Sequence, residues 1–256
     1  MPASRKSTKI QASRTVKMTI NSLPRIACFH GGGSSAAIYR IQCEQLAHLL
    51  KNDFQLVFFE GPFERSAGPD VLPVFADYAP FKSWFTQDER GERANGSGYD
   101  ASGNDGVERV WRLMEDEGPG GEWVGAMGFS QGSRVAGGLL LDQQRRDALG
   151  IPKKTPIKLL FGVLCNGAGA PMESDVAEYI EKPDESLRRV SLPTLHVHGL
   201  KDPFLMLGRQ QFQGYYNPNA ATLYEVDYHH AMPWARHEAK QLADHIRTIY
   251  KNSAKQ

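Results

Sequence analysis

The sequence predicts an α/β fold in which helices cover both faces of a mostly parallel central sheet. Two patterns support this class. Short apolar stretches that suit buried strands alternate along the chain with stretches whose apolar residues recur at helical spacing. In addition, residues 157–164 form an almost continuous apolar run, which is typical of a central parallel strand covered on both faces.

The same patterns place the individual elements. We predict strands at residues 25–29, 55–59, 123–127, 157–164, 193–198 and 221–226, and helices at residues 36–50, 104–116, 133–144 and 234–250. The first helix is expected to be amphipathic, with Ile41 among its inward-facing residues. Residues 64–102 are irregular and rich in aromatic side chains, whereas residues 171–190 are highly charged. We expect the charged stretch to be a solvated excursion between strands.

The length of the chain bounds its domain organisation. Its 256 residues, 41% of them hydrophobic, suffice for one α/β domain, and no internal repeat or boundary divides them. We therefore predict a single domain over residues 25–252. Residues 1–24 carry five basic residues and no acid, so we interpret them as a disordered basic extension. A transit peptide is the alternative, but apolar residues there are too few for an amphipathic helix.

Charge and cysteine content exclude several functional classes. The formal net charge is +1, so no global field favours binding to nucleic acid or to an anionic membrane. The longest apolar runs are strand-sized and too short to span a bilayer. Three cysteines, Cys28, Cys43 and Cys165, are too few for a disulfide framework, which indicates a reducing compartment. We therefore expect a cytoplasmic protein.

The most informative motif is Gly-Phe-Ser-Gln-Gly at residues 128–132. A predicted strand precedes it and a predicted helix follows it, which is the context of a nucleophile elbow. The two glycines allow two backbones to pass closely through a sharp turn. Ser130, between them, then presents its hydroxyl at a helix N-terminus, whose field favours negative charge. The motif therefore predicts that Ser130 is a catalytic nucleophile.

A glycine-rich loop follows the first strand at residues 30–34, with the sequence His-Gly-Gly-Gly-Ser. Such a loop could cradle a phosphate, but the dinucleotide-binding spacing and the P-loop lysine are both absent. Acyl transfer needs backbone N–H groups that point at a developing oxyanion, and glycine lets them approach it. We predict that Gly32 and Gln131 supply these donors. His30 is interpreted as a structural residue that braces the loop.

Downstream residues supply an acid and a base in the order that α/β-hydrolases use. Asp202 lies in the turn after the fifth predicted strand, where it can orient a histidine and stabilise its charged form. It could instead be a simple turn residue. His229 and His230 follow the last strand, and either could be the base. Neither belongs to a recognised metal-ligand pattern, so we predict no metal and no cofactor.

The irregular aromatic segment lies next to the predicted catalytic strand ends. Aromatic residues in such a position can line a pocket for an apolar acyl group. The candidates for this role are Phe63, Tyr78, Phe81 and Trp84. The alternative is that these side chains pack against the sheet, as most hydrophobic residues do.

Several motifs together resemble the fungal serine hydrolase (FSH) family, whose members include hydrolases and thioesterases encoded with fungal polyketide synthases. The resemblance runs from about residue 25 to residue 249 and rests on residues 28–31, 38–42, 59–63, 68–69, 84–85, 128–132, 199–202 and 230–233. The stretch Glu-Gly-Pro-Phe at residues 60–63 is its most specific part. Two features depart from the family: Tyr228 and His229 stand where it usually has glycines, and Gly32 stands where it often has an aromatic residue.

The resemblance implies an α/β-hydrolase fold, with Ser130 as nucleophile, Asp202 as acid and His230 as base. His230 is preferred over His229 because the family histidine is followed by an apolar residue and proline, here Met232 and Pro233. It also implies that the substrate is an acyl thioester or ester, such as a polyketide presented by an acyl carrier domain of a polyketide synthase. A general carboxylesterase of small esters is the alternative, and a non-catalytic binding protein is a third hypothesis. The sequence does not identify the acyl chain.

Overall fold

The computed structural model describes residues 22–88, 91–92, 106–153, 155–180 and 185–255. In chain order, its elements are β1 (Arg25–Phe29), α1 (Ala36–Gln42), α2 (Glu44–Leu50), β2 (Gln55–Phe59), β3 (Phe63–Arg65), β4 (Phe81–Ser83), β5 (Gln87–Asp88), β6 (Gly91–Glu92), α3 (Val107–Asp116), β7 (Trp123–Phe129), α4 (Gln131–Leu149), β8 (Phe161–Cys165), α5 (Glu185–Arg188), β9 (Thr194–Gly199), α6 (Leu205–Tyr215), β10 (Ala221–Val226) and α7 (Arg236–Ser253). The predicted extension at residues 1–24 lies almost entirely outside these described residues.

Six strands form the central sheet, in the order β10-β9-β8-β7-β1-β2. Every neighbouring pair in it is parallel. The carboxyl ends of all six strands therefore lie at one edge, which is where parallel α/β folds place ligands. Two short antiparallel pairs, β3 with β4 and β5 with β6, lie outside this sheet. The predicted α/β class is confirmed.

Helices cover both faces of the sheet, as β1 shows most directly. Ala27 and Phe29 face a core formed with α3 and α4, whereas Ile26 and Cys28 face a second core formed with α1, α2 and α7. This alternation follows from the geometry of a strand, in which successive side chains point to opposite faces. Because both faces are buried, the central strands carry apolar residues at consecutive positions.

The first predicted helix is two helices. The chain turns at Cys43, with φ −95° and ψ 3°, so α1 ends at Gln42 and α2 begins at Glu44. The break changes the helical face, and Cys43 itself is buried between the helices. Ile41, which we expected to point inward, is 42% exposed. The prediction of one continuous helix over residues 36–50, which placed Ile41 on its inward face, was therefore wrong.

The fourth strand begins later than the apolar run predicts, at Phe161 instead of residue 157. Gln143 of α4 explains the difference. Its side-chain amide donates to the Leu159 carbonyl at 2.9 Å, and its side-chain oxygen accepts from the Leu159 N–H at 2.8 Å. A side chain thus takes the place of a strand partner, and the backbone there stays outside the ladder.

The described residues among 171–190, which are 171–180 and 185–190, do not form the solvated excursion that their charge predicted. The described part contains a 3-10 turn at Asp175–Tyr179 whose Val176 is fully buried. Two arginines of α4 account for this packing. Arg145 pairs with Glu173 at 3.0 Å, and Arg146 pairs with Asp175. The charged segment therefore lies against α4 through ion pairs, which the sequence alone did not reveal.

Three carboxylates converge around Arg146. Asp142 pairs with its Nε at 3.0 Å and also accepts from the Trp111 indole at 2.9 Å. Glu108 is 6% exposed and accepts from the Asp175 N–H at 2.8 Å. Burial is the main cause that raises the pKa of Glu108 to about 7. The guanidinium of Arg146 occupies the centre of this cluster, so its carboxylates are ion-paired and hydrogen-bonded.

All three cysteines are free and buried. Cys28 and Cys165 lie in β1 and β8, as expected for small apolar residues within strands. Among the residues that the structure describes, no helix is both long and apolar enough to cross a membrane.

The raised pKa of Glu108 predicts a pH-dependent stability. Its ordinary pKa is 4.5, so between pH 4.5 and about 7 the folded protein keeps a proton that the unfolded chain has released. The free energy of unfolding should therefore fall as pH rises through this window. Glu108→Gln should reduce that fall, measured as the change in Tm between about pH 5 and about pH 8.

Glu115→Gln on the exposed face of α3 is the matched control and should leave the pH dependence close to that of the wild type. An identical pH dependence in Glu108→Gln and the wild type would contradict the burial argument.

Candidate active site

Ser130 lies in the turn between β7 and α4, with φ 51° and ψ −117°. Non-glycine residues rarely adopt a positive φ, so this turn is strained and must be held by its surroundings. A β-carbon at Gly128 would overlap the carbonyl oxygen of Gly132, and one at Gly132 would overlap the carbonyl oxygen of Phe29. The two glycines of the motif are thus required by close backbone contacts, and they permit the elbow that presents Ser130.

Three predicted side chains form one hydrogen-bonded line. The Ser130 Oγ lies 3.1 Å from the His230 Nε2, and the His230 Nδ1 lies 2.7 Å from the Asp202 Oδ2. These residues come from three different strand ends, after β7, β9 and β10, and the parallel sheet brings those ends to one edge. The three side chains therefore have the order and the hydrogen-bond distances that the predicted roles of nucleophile, base and acid require.

Asp202 is 7% exposed and is fixed by its own backbone surroundings. Its N–H donates to the Gly199 carbonyl at 3.1 Å, and its Oδ1 accepts from the Phe204 N–H at 2.7 Å. One carboxylate oxygen is thereby used to hold the loop, which leaves Oδ2 for His230. Asp202 is therefore both a turn residue and the partner of the histidine, so the two interpretations from the sequence are compatible.

The structure brings His230, and not His229, to the serine. The His230 imidazole is 8% exposed and lies between the rings of Phe129 and Phe204, at centroid distances of 4.9 Å and 5.0 Å. His229 is exposed and its ring stacks on Tyr228 at 4.7 Å. The two adjacent side chains point apart, and only one of them reaches Ser130.

Gly32 and Gln131 both border the cavity that contains Ser130. Gln131 is the first residue of α4, where backbone N–H groups have no partner inside the helix. The Gln131 side chain is hydrogen-bonded to the end of β4 and to the residue after it. Its Oε1 accepts from the Trp84 N–H at 2.9 Å, and its Nε2 donates to the Ser83 hydroxyl at 3.0 Å. Both residues therefore lie beside Ser130, and their role as backbone donors to an oxyanion stays a prediction.

His30 braces the glycine-rich loop, in agreement with its structural interpretation. It is fully buried, and its Nδ1 lies 2.7 Å from the Gly31 carbonyl. Its Nε2 accepts from the Gly61 N–H at 2.9 Å. Because the Gly61 N–H can only donate, Nε2 must be the acceptor, and we assign the tautomer with the proton on Nδ1. Glu60 also lies 3.1 Å from Nε2.

Two cavities meet at Ser130 and His230. The arginine-lined cavity has a volume of about 290 Å³ and is bordered by Arg65, Gln131, Arg134, Asn166, Phe204 and Leu207. The apolar cavity has a volume of about 580 Å³, with walls that include Val71, Val74, Phe75, Phe129 and Trp234. A separate cavity of about 420 Å³ lies between β9, β10 and α7, and Ser130 does not border it. Because only the first two contain Ser130, we assign the site to them.

None of the four aromatic residues that the sequence suggested for the pocket borders either of these cavities. Trp84 is fully buried, packs edge-on against Phe29 at 5.4 Å and donates to the His30 carbonyl at 3.0 Å. Phe81 is buried with Ile38 and Val71. These two side chains form the packing behind the loop and not the pocket wall.

The other two aromatic candidates are also placed elsewhere. Tyr78 is 42% exposed and its ring packs against Phe75 at 5.7 Å. The ring of Phe63 lies 5.5 Å from the guanidinium of Arg109. Among the aromatic residues of this segment that the structure describes, Phe75 borders the apolar cavity. The sequence identified the segment, but not which of its side chains would face the cavity, because apolar residues pack equally well into a core.

Sequence reasoning missed Asn166, which follows β8 directly and is 5% exposed. Its Nδ2 donates to the carbonyls of His229 and Ala231, at 3.3 Å and 3.2 Å, and its Oδ1 accepts from the Gly199 N–H at 2.8 Å. It thus connects the histidine loop to the end of the strand that leads to Asp202. A polar residue at the end of a buried parallel strand was the signal available in the sequence.

Comparison with solved structures defines the class of protein. The chain superposes on the crystal structure of Zea mays acyl-protein thioesterase 2 with a TM-score of 0.57 and 15% sequence identity, covering 92% of this chain and 97% of that one. TT1662 from Thermus thermophilus matches with a TM-score of 0.51 and 15% identity, over 90% of each chain. At these identities the likeness shows the fold alone, which is the α/β-hydrolase fold.

Comparison with other sequences gives the family. A family model described as Serine hydrolase (FSH1) matches residues 18–242. The chain is 34% identical to Esterase citA of Monascus ruber, over 89% of this chain and 92% of the relative. It is 32% identical to Esterase dbaE of Emericella nidulans, over 90% of this chain and 92% of the relative. The chain belongs to the FSH1 serine hydrolase family and is a hydrolase of the esterase type, which confirms the resemblance.

The three hydrogen bonds of the Asn166 side chain predict an effect of its substitution on turnover. Asn166→Asp keeps the shape of the side chain and tolerates its positive φ of 46°, but it replaces the amide donor by a carboxylate that faces two carbonyls. The His230 loop should shift, so we expect kcat for ester hydrolysis to fall about tenfold to a hundredfold.

Asn219→Asp, at an exposed position before β10, is the matched control and should retain wild-type kcat. Steady-state kinetics and the Tm of each variant separate loss of alignment from loss of folding. Full turnover in a folded Asn166→Asp protein would show that these hydrogen bonds do not position His230.

Proposed function

We propose that Ser130, His230 and Asp202 form a catalytic triad that hydrolyses an acyl thioester or ester by two-step acyl transfer. The observation that carries the proposal is the line of two hydrogen bonds, 3.1 Å from Ser130 to His230 and 2.7 Å from His230 to Asp202. Membership of a serine hydrolase family supports the same chemistry independently of the geometry.

In the first step, the Ser130 Oγ attacks the acyl carbonyl while the His230 Nε2 accepts its proton. Asp202 holds the imidazole through Nδ1 and stabilises the positive charge that develops on it. The negative charge on the carbonyl oxygen is stabilised by the N–H groups of Gly32 and Gln131, and the field of the 19-residue helix α4 acts in the same direction. The protonated His230 then gives its proton to the departing thiol or alcohol.

In the second step, a water molecule attacks the acyl-serine. His230 now accepts a proton from the water and returns it to the Ser130 Oγ as the acid leaves. The same two N–H groups stabilise the second oxyanion. No step needs a group beyond the side chains and backbone atoms of this chain and a water molecule.

For the substrate, we propose an apolar acyl chain such as a polyketide, presented as a thioester on an acyl carrier domain. The apolar cavity of about 580 Å³ beside Ser130 supports an apolar acyl group. The alternative is a general carboxylesterase acting on small esters, which is favoured by the names of the esterase relatives. These two functions are distinguished by the ratio of kcat/KM for a carrier-bound acyl thioester to kcat/KM for a simple ester of the same acid.

Ser130→Ala should abolish labelling by a fluorophosphonate probe and lower kcat by about 10⁴-fold or more for both substrates. The physical reason is that no acyl-enzyme can form without the Oγ. Labelling is read by mass spectrometry of the intact protein, and Tm confirms that the variant is folded.

Ser133→Ala is the control for the loss of a neighbouring hydroxyl and should still be labelled, because the Ser133 Oγ donates to the Ser130 carbonyl and accepts from the Gln211 Nε2 instead of bonding to His230. Persistent labelling of Ser130→Ala would identify another nucleophile and overturn the proposal.

The two adjacent histidines should differ sharply in their effect on catalysis. His230→Ala should remove nearly all activity, because only its ring lies between Ser130 and Asp202. His229→Ala should retain a substantial part, since its ring is exposed and stacks on Tyr228. The measurement is kcat/KM of both variants on one ester, and the reverse order would show that His229 is the base.

A further inference from the structure

The arginine-lined cavity differs in charge from the rest of the site. Its walls include the basic side chains of Arg65 and Arg134 and the amide side chains of Gln131 and Asn166, with Ser130 and His230 at its edge. None of the described residues that border it is an aspartate or a glutamate. A guanidinium carries five N–H donors, so it can bind an anion while other donors hold protein partners.

Arg134 is fixed in this cavity at an electrostatically unfavourable place. It lies in the first turn of α4, where the helix field favours anions and disfavours cations. The contacts that hold it there include a hydrogen bond from its Nε to the Ala170 carbonyl at 2.8 Å and stacking of its guanidinium on the Phe85 ring at 3.9 Å. An anion bound beside it would be stabilised both by the guanidinium and by the helix field.

Arg65 reaches the cavity from the other side. It ends β3, whose ladder with β4 pairs it with Phe81. Its Nη1 lies 3.0 Å from the point where a β-carbon on Gly32 would stand, and the Gln131 Nε2 lies 3.0 Å from the same point. The guanidinium is therefore next to the loop that we assign to the oxyanion, and Arg65 borders the same cavity as Ser130.

The apolar cavity has the opposite character. Its walls include Val71, Val74, Phe75 and Trp234, and its acidic neighbour is the exposed Asp70. Because the two cavities share Ser130 and His230, a substrate with its carbonyl at Ser130 can place one part in each. The groups on the two sides of the scissile carbonyl would therefore lie in cavities of different polarity, one lined by arginines and one apolar.

We infer that the substrate carries an anionic oxygen group, such as a carboxylate, which Arg65 and Arg134 bind while an apolar part occupies the other cavity. This inference rests on the proposed function, because it places the scissile carbonyl at Ser130. The anionic group could belong to the acyl side or to the leaving-group side of the bond. Both sources share one recognition chemistry, a charge-assisted and often bidentate contact with a guanidinium.

Two matched pairs of ester substrates test the inference and distinguish its two sources. On the acyl side, para-nitrophenyl hemiadipate is compared with para-nitrophenyl hexanoate, which differs by a methyl group in place of the terminal carboxylate. On the leaving-group side, para-carboxyphenyl hexanoate is compared with phenyl hexanoate. The measured quantity is the ratio of kcat/KM for the anionic ester to kcat/KM for its neutral partner.

In one of the two pairs, Arg65→Met and Arg134→Met should each lower this ratio by about tenfold to a hundredfold relative to the wild type, as expected for loss of a charge-assisted hydrogen bond. Arg134→Lys keeps the charge and should restore much of the ratio. Added salt should also lower the wild-type ratio. Arg209→Met, on the exposed side of α6, is the control and should leave the ratio unchanged.

Unchanged ratios in both arginine variants, for both pairs, would overturn the inference. An equal loss on anionic and neutral esters would also overturn it, since the arginines would then act on the oxyanion or on folding, which Tm reports. Failure of the proposed function is distinguishable, because it would appear as absent hydrolysis of the neutral esters by the wild type or as full hydrolysis by Ser130→Ala.

Discussion

The site depends on one close approach between backbones, at the turn that carries Ser130. Gly128 leaves room for Gly132, and Gly132 in turn leaves room for the end of β1 at Phe29. The same contact therefore fixes three things together: the positive φ of the serine, the start of α4 and the distance from the serine to the glycine-rich loop. A larger residue at either glycine would separate Ser130 from the proposed oxyanion donors before it affected any side-chain contact.

Buried polar side chains hold the surrounding loops in register with this turn. Gln131 connects α4 to the chain after β4, His30 connects the glycine-rich loop to Gly61, and Asn166 connects the histidine loop to Gly199. Each is a side chain at the end of one strand or the start of one helix that hydrogen-bonds the backbone of another segment. Loops of a parallel sheet share no ladder with each other, so these bonds supply the order that strands obtain from pairing.

The sequence located the candidate catalytic residues from local patterns alone. Ser130, Asp202 and the histidine pair each lie in the turn after a predicted strand, and a parallel sheet gathers such positions at one edge without further information. The choice between His229 and His230 required the family resemblance, because adjacent residues satisfy the same spacing. The break at Cys43 and the late start of β8 depended on partners distant in sequence, notably Gln143. The prediction of the pocket-lining residues was wrong for the same reason. Trp84 and Phe75 are both aromatic residues of one segment, and only tertiary packing decides that Trp84 is buried whereas Phe75 borders the cavity.

If the substrate is an acyl thioester, as we propose, the burial of the cysteines limits its side reactions. Thioesters exchange readily with thiolates, so a reactive cysteine would divert the acyl group by transthioesterification. Burial raises the pKa of Cys165 to about 12 and raises those of Cys28 and Cys43 as well. All three thiols are enclosed in the protein interior, where they stay protonated and out of contact with any thioester. Under the proposed function, an acyl chain that enters the site therefore meets the hydroxyl of Ser130 and none of these thiols, and the acyl-enzyme would be an oxygen ester that water can cleave.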